Sequence, residues 1–307
     1  MRSLCFVCLI TFFFGCSTEE KETTTKGGLH VLIPESIAPV MIDEVSEFLN
    51  LYQVNGAHIT DTIVSAETVA RRFVRDTTRI AFLPRPLTQE EKEQVIKISS
   101  DMNELIVAYD AIVAVVHPSN KVVGITTTEI QKILSGTMTR WEQLSKPMKG
   151  TIKIYCQDSS DVSEYLNRRL LKQAGISVKF THPSSDIQTL RSVEKDPLAL
   201  GFVALAWIDS VKSTAKILNL GRTSEDTDTT FATPAEAIGK FFSPHPANIY
   251  RNYYPLKRAI YMYTKGHVNL ATGFGTYVAT SEGQKLFLKR GLLPGTQKIN
   301  LRSNHPE

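Results

Sequence analysis

The chain has 307 residues, 42% of them hydrophobic and 21% charged, with a formal net charge of +4. At about 150 residues per domain, that is enough for two units with cores of their own, which excludes a disulfide-stapled miniprotein. Its 17 glycines and 14 prolines exclude a fibrous or disordered chain, and a small positive charge with no long basic run gives no sign of a nucleic-acid surface.

Three of the four cysteines, Cys5, Cys8 and Cys16, lie within the first sixteen residues. Arg2, the apolar residues 4–14 and then Gly15-Cys16-Ser17 make a positive head, an apolar segment and a small residue before a cleavage point. That reads as an export signal, too short to span a membrane. The Gly15-Cys16 junction resembles that of a bacterial lipoprotein, which implies lipidation of Cys16, removal of residues 1–15 and a flexible linker over 16–27. Cys156 is then the one remaining thiol, so neither an intrachain disulfide nor a cysteine-based metal cluster is expected.

The apolar rhythm that follows alternates strand, loop and helix. Residues 30–33 read as a strand, after which Ile37, Val40, Met41, Val45, Phe48, Leu49 and Tyr52 recur at helical spacing, with Ser36 as the expected cap and Pro39 in the first turn. A second unit runs from a strand over 59–64 through Ser65 into a helix at 69–74, and a strand over 79–83 leads through Pro84-Arg85-Pro86-Leu87 into a helix opened by Thr88. Residues 105–117 predict a long apolar strand interrupted at Tyr109-Asp110. A further unit has a strand over 152–155, a loop over 156–160, and a helix carrying Val162, Tyr165, Leu166, Arg169 and Leu170, with Asp161 and Glu164 at capping-box spacing. This alternation predicts an α/β protein whose ligand lies beyond the carboxyl ends of the strands.

Motifs for chemistry are few. The seven histidines are scattered without metal-site spacing, there is no phosphate-binding glycine loop of the nucleotide-hydrolase kind, and Gly273-Phe274-Gly275 lies within a helical pattern, where it reads as packing. Asp158, Ser159, Ser160 and Asp161 have no local base, His182 being the nearest histidine in sequence. No catalytic residue, metal or cofactor is expected. The loop-to-helix junctions at Ser36, Ser65 and Ser160 admit two readings. Each serine caps its own helix, or the unpaired N–H groups there join to hold an oxyanion.

Six stretches in order carry a family resemblance: Asp110-Ala111-Ile112-Val113-Ala114-Val115-Val116-His117-Pro118; Ile125-Thr126 running on to Ile130; Ile133-Leu134-Ser135-Gly136 with Trp141; Gly201-Phe202-Val203-Ala204-Leu205; residues 254–266, opening Tyr254-Pro255-Leu256-Lys257-Arg258; and Ser281-Glu282-Gly283-Gln284. Together they resemble the phosphate-binding proteins of bacterial phosphate ABC transporters, which have the type 2 periplasmic binding protein fold. The resemblance implies two α/β lobes, each a mixed sheet flanked by helices, joined by crossing hinge strands, with lobe 1 built from 28–110 plus 255–307 and lobe 2 from 111–254. It implies a monomer that binds a small molecule such as phosphate or a related anion in the inter-lobe cleft and catalyses nothing. Its partners would be an ABC transporter permease and, through the lipid, a membrane of the cell envelope, on its periplasmic or outer side.

Carried over position by position, the resemblance puts ligand contacts at Ser36 and Ile37, Ser65, Arg85, and the group Gln157, Ser160, Asp161 and Val162. The sequence departs from the family there. Gln157 stands where an arginine is usual, Asp161 where a glycine amide approaches the anion, and Pro84 where an Asp or Ser is common. Two like charges about 4 Å apart repel by about 4 kcal/mol at an effective dielectric of 20, more than the ~0.3–1 kcal/mol a helix end supplies. Phosphate is therefore expected to bind weakly unless Arg85 or another cation compensates Asp161. These altered loops and the acidic run Glu19-Glu20-Lys21-Glu22 support an alternative, an envelope sensor or protein-interaction module on the same fold.

Overall fold

A computed structural model describes residues 21–76, 78–144, 147–172, 181–226, 230–266 and 268–297. Strand β1 (Gly27–Pro34) leads through a 3-10 turn (Glu35–Ile37) into α1 (Ala38–Tyr52), and β2 (Ala57–Val64) follows, parallel to β1, leading into α2 (Ala66–Val74). Then come β3 (Ile80–Leu83), α3 (Gln89–Ile98), the long β4 (Asn103–Val116), β5 (Gly124–Thr126), α4 (Thr127–Leu134), β6 (Lys153–Tyr155), α5 (Asp161–Leu170) and α6 (Asp186–Val193). The remainder is β7 (Ala199–Ala204), α7 (Ala206–Ser210), β8 (Lys216–Ile217), β9 (Asn219–Gly221), β10 (Phe241–Phe242), α8 (Pro246–Tyr250), β11 (Lys257–Thr264), α9 (Leu270–Ala279), α10 (Ser281–Lys289) and β12 (Leu293–Pro294).

The main sheet has the order β3-β11-β4-β7-β6, with β4 serving both of its ends. The first part of β4 pairs antiparallel with β11, and residues 112–116 pair antiparallel with β7, which itself runs parallel to β6. The chain therefore passes through β4 from one set of strands to the other without a break. The interruption expected at Tyr109-Asp110 is absent, because Asp110 is fully buried with a charged partner and so can occupy an apolar strand. β5, β9 and β10 form a separate three-stranded sheet.

Most strand residues of β3, β4, β7 and β11 are buried, matching a sheet covered on both faces, and the core runs on through Phe48, Phe82, Phe274 and Phe287. Gly273 in α9 is a packing glycine, as its sequence context suggested. A Cβ there would lie 1.8 Å from the Thr24 carbonyl oxygen. The stretch before β1, read as a linker, is tied down from Glu22 onward. The Glu22 carboxylate accepts from Arg79 Nη1 at 2.8 and 2.7 Å and from the Leu270 N–H at 3.1 Å. Cys16 and residues 1–15 lie outside the described residues. Among the described residues no helix is long and apolar enough to cross a membrane.

Candidate functional site

The site grows from the carboxyl ends of strands. Parallel register puts Pro34 opposite Val64, so the Glu35-Ser36 turn and the Ser65 junction leave the sheet side by side. Across from them β6 ends at Tyr155, and the loop 156–160 enters α5.

The three serines fall into two roles. Ser65 caps α2, its hydroxyl accepting from Thr68 N–H at 3.2 Å, and Ser160 caps α5, accepting from Ser163 N–H at 3.2 Å while donating to the Gln157 carbonyl at 2.9 Å. The box expected between Asp161 and Glu164 is shifted by one residue to Ser160 and Ser163, because Ser160 carries the extended backbone a cap requires. Ser36 is not a cap. A 3-10 turn precedes α1, whose cap position is Ile37, and no side chain bonds the helix end there. The buried Ser36 hydroxyl instead donates to Asp161 Oδ2 and accepts from Arg258 Nη2 at 2.8 Å.

Arg258 is the residue that sequence reasoning missed. Its Nη1 donates to Asp161 Oδ2 at 2.6 Å, and its Nε and Nη2 donate to Asp110 Oδ2 at 3.0 and 2.8 Å. Burial alone would lower the guanidinium, but Asp110 and Asp161 outweigh it and hold the group above its ordinary value. The cation that compensates Asp161 is thus Arg258 and not Arg85. Arg85 is committed elsewhere, bonding both oxygens of Glu91 at 2.8 Å with Glu67 at 3.5 Å. An opposite pair of charges set in two apolar strands, Asp110 in residues 105–117 and Arg258 in 254–266, is the signal that would have found it, since such charges are buried only in pairs.

A second layer of carboxyl groups surrounds this centre. Glu35 accepts from the Asp186 N–H at 3.0 Å and bonds the Gln157 side chain, and its carbonyl accepts from Trp207 Nε1 at 3.0 Å. Burial raises the Glu35 carboxyl, those two bonds oppose the shift, and the charge of Asp161 adds to it. Asp186, fully buried and accepting from Ala204 N–H at 3.2 Å, is raised first by burial and then by Glu35. Ile37 and Val162 bury their side chains in the core, leaving backbone groups as what they can offer a ligand. Among the described residues no group of side chains could hold a metal ion.

Two cavities flank the Ser36, Asp161 and Arg258 cluster. One of about 390 Å³ is lined by Glu35, Ser65, Gln157, Ser160, Asp161 and Trp207 among others. The other, about 570 Å³, lies between the Pro84–Thr88 loop, α5 and β11, with Arg85 and Arg258 in its wall. Of the expected ligand positions, Ser36, Ser65, Gln157, Ser160 and Asp161 gather at the cluster or the smaller cavity, while Arg85 opens on the larger one.

Residues 18–282 match the family model described as the PBP superfamily domain. The phosphate-binding protein PstS of Borreliella burgdorferi is 22% identical over 306 residues, covering 94% of this chain and 96% of that one. Protein SphX of Synechococcus elongatus is 27% identical over 200 residues, and the match spans 63% of this chain and 55% of SphX. Among solved structures, a putative phosphate ABC transporter substrate-binding protein from Clostridium perfringens, with bound phosphate, superposes with a TM-score of 0.69 at 16% identity. That superposition covers 87% of this chain and 99% of that one. PstS from Borrelia burgdorferi gives 0.53 at 21% identity over 88% and 99%. These matches bear out the type 2 periplasmic binding protein fold and the resemblance to phosphate-binding proteins.

Proposed function

The chain belongs to the PBP superfamily, and from that premise we propose that it is an extracytoplasmic solute-binding protein of the phosphate-transporter kind, lipidated at Cys16, which takes a small oxyanion where Ser36, Arg258 and the α5 amino terminus meet. The observation that carries the reading is the convergence of a serine hydroxyl and a guanidinium on Asp161 Oδ2, at the first residue of α5. Hydroxyl, guanidinium and helix amino terminus are the donors an oxyanion needs. Asp161 presents its own carboxylate to them, so an incoming anion must displace that side chain. The protein works as a monomer with an ABC permease and performs no chemical step.

Calorimetry with inorganic phosphate on the wild type and on Asp161→Gly tests this. Removing the competing carboxylate should tighten phosphate binding at least about tenfold, since the Arg258 and Ser36 donors are charge-assisted or buried. Adding Gln157→Arg should tighten it further. No heat with phosphate or a related oxyanion in any of the three proteins would sink the oxyanion assignment. The occupation of the centre by Asp161 is also what an envelope sensor or interaction module would show. Recovery of a porin or receptor, rather than a permease, in a pull-down from solubilised envelope would favour that second reading.

A further inference from the structure

The 570 Å³ cavity is too large for a single ion and lies in the range of sites for organic ligands. Among the described residues its charged lining is cationic: Arg85, Arg168, Arg169, Lys172 and Arg258. Arg85 is held by Glu91, and Arg258 by Asp110 and Asp161. Arg168 and Lys172 differ. Neither has a hydrogen bond or close ion pair among the described residues; Glu164, one turn earlier on α5, acts on Arg168 only through its charge. Arg168 lies in the last turn of α5 and Lys172 just beyond its cap residue Leu171, with a left-handed backbone (φ 50°), and both line the cavity, so two positive charges border one space.

The walls facing them are aromatic. Tyr165, Phe231 and Tyr261 line the cavity. Phe231 is fixed by Lys257 Nζ at 4.4 Å and the Arg169 guanidinium at 5.5 Å from its centroid, and it meets the Tyr109 ring edge-on at 6.4 Å. Tyr261 stacks on Tyr263 with an interplanar angle of 14°. A planar body can lie against such fixed rings without ordering them anew.

We propose that this cavity is a second binding site, separate from the Ser36 centre, for an aromatic phosphate monoester, its phosphate held by Arg168 and Lys172 and its ring against Phe231 and Tyr261. A dianion matches two cations that hold no hydrogen bond or close ion pair among the described residues, and the guanidinium fork of Arg168 matches phosphate oxygens bidentately. The site does not depend on the oxyanion reading, and either can fail alone.

The full chain is titrated by calorimetry with phenyl phosphate, with phenol and with inorganic phosphate. Phenyl phosphate should bind and phenol should not. Arg168→Gln with Lys172→Gln should weaken phenyl phosphate at least about tenfold while leaving the thermal melt and any inorganic phosphate binding unchanged; both positions are exposed, so folding is preserved. Arg168→Lys should retain part of the affinity. Absence of phenyl phosphate binding to the wild type, or equal binding to the double variant, overturns the proposal. So does loss of that binding in Ser36→Ala with the double variant unaffected, because the ester would then occupy the Ser36 centre.

Discussion

Asp110 and Arg258 stand directly opposite one another on β4 and β11, and two guanidinium nitrogens meet a single carboxylate oxygen at 3.0 and 2.8 Å. They are 0% and 2% exposed, so each charge depends on the other for its solvation. Arg258→Met should cost about 3–5 kcal/mol, because it strands Asp110 in the sheet. Asp110→Leu should cost less, since Asp161 and Ser36 still pair with the guanidinium. The double variant should recover much of the loss. Urea midpoints for the three proteins form the cycle, and strict additivity would show that the two residues are not coupled.

Glu44 presents the opposite situation. It is fully buried in α1, both carboxylate oxygens lack a hydrogen-bond partner among the described residues, and burial, with Asp43 adding, pushes its pKa up to about 9. The folded value lies above the unfolded one of about 4.5, so the folded state binds the extra proton. Its contribution is complete below the unfolded value, declines as pH rises, and is gone above about pH 9. Glu44→Gln should remove that decline, with the variant gaining about 5 kcal/mol on the wild type between pH 5 and 9. Urea midpoints at the two ends of the range check this, and a constant difference between the proteins would refute it.

Cys156 lies beside the altered loop yet is fully buried, and burial, helped by Asp186, Asp161 and Asp158, raises its thiol well above the ordinary value. It should react with an aromatic disulfide reagent at pH 8 at least about a hundredfold more slowly in the native protein than in urea, since access requires local opening. Equal rates would mean that the loop opens freely.

Gly273→Ala would ordinarily stabilise a helix by about 1 kcal/mol. Here the added methyl meets the Thr24 carbonyl, so α9 and the segment 21–26 cannot both keep their places. The expected result is faster proteolytic nicking before β1 with little change in the melting of the body. A resistant, more stable variant would contradict the contact.

The contrast between Ser36 and Ser160 shows where the sequence was legible. Strand and helix identities followed from apolar period, which is local, and so did the caps at Ser65 and Ser160, whose partners lie three residues away. Ser36 departed from expectation because its partners are 125 and 222 residues distant, and nothing in the local pattern registers them. Arg258 was passed over for the same reason. Its stretch, residues 254–266, entered only as part of the family resemblance, and the demand that a buried arginine makes for a carboxylate 148 residues earlier is a constraint between segments, not within one. Gln157 was visible in its own loop, but the guanidinium that meets Asp161 belongs to another strand.

The anchoring of Glu22 to Arg79 bears on how the protein meets a membrane. With Cys16 lipidated as proposed, six residue steps separate the acyl chains from the first fixed side chain, and even fully extended they reach only about 20 Å. The body would then be moored rather than leashed, its rotation limited and one flank kept towards the bilayer. A permease in the same membrane would meet the protein in a narrow range of orientations, and encounter would become a two-dimensional search at short range.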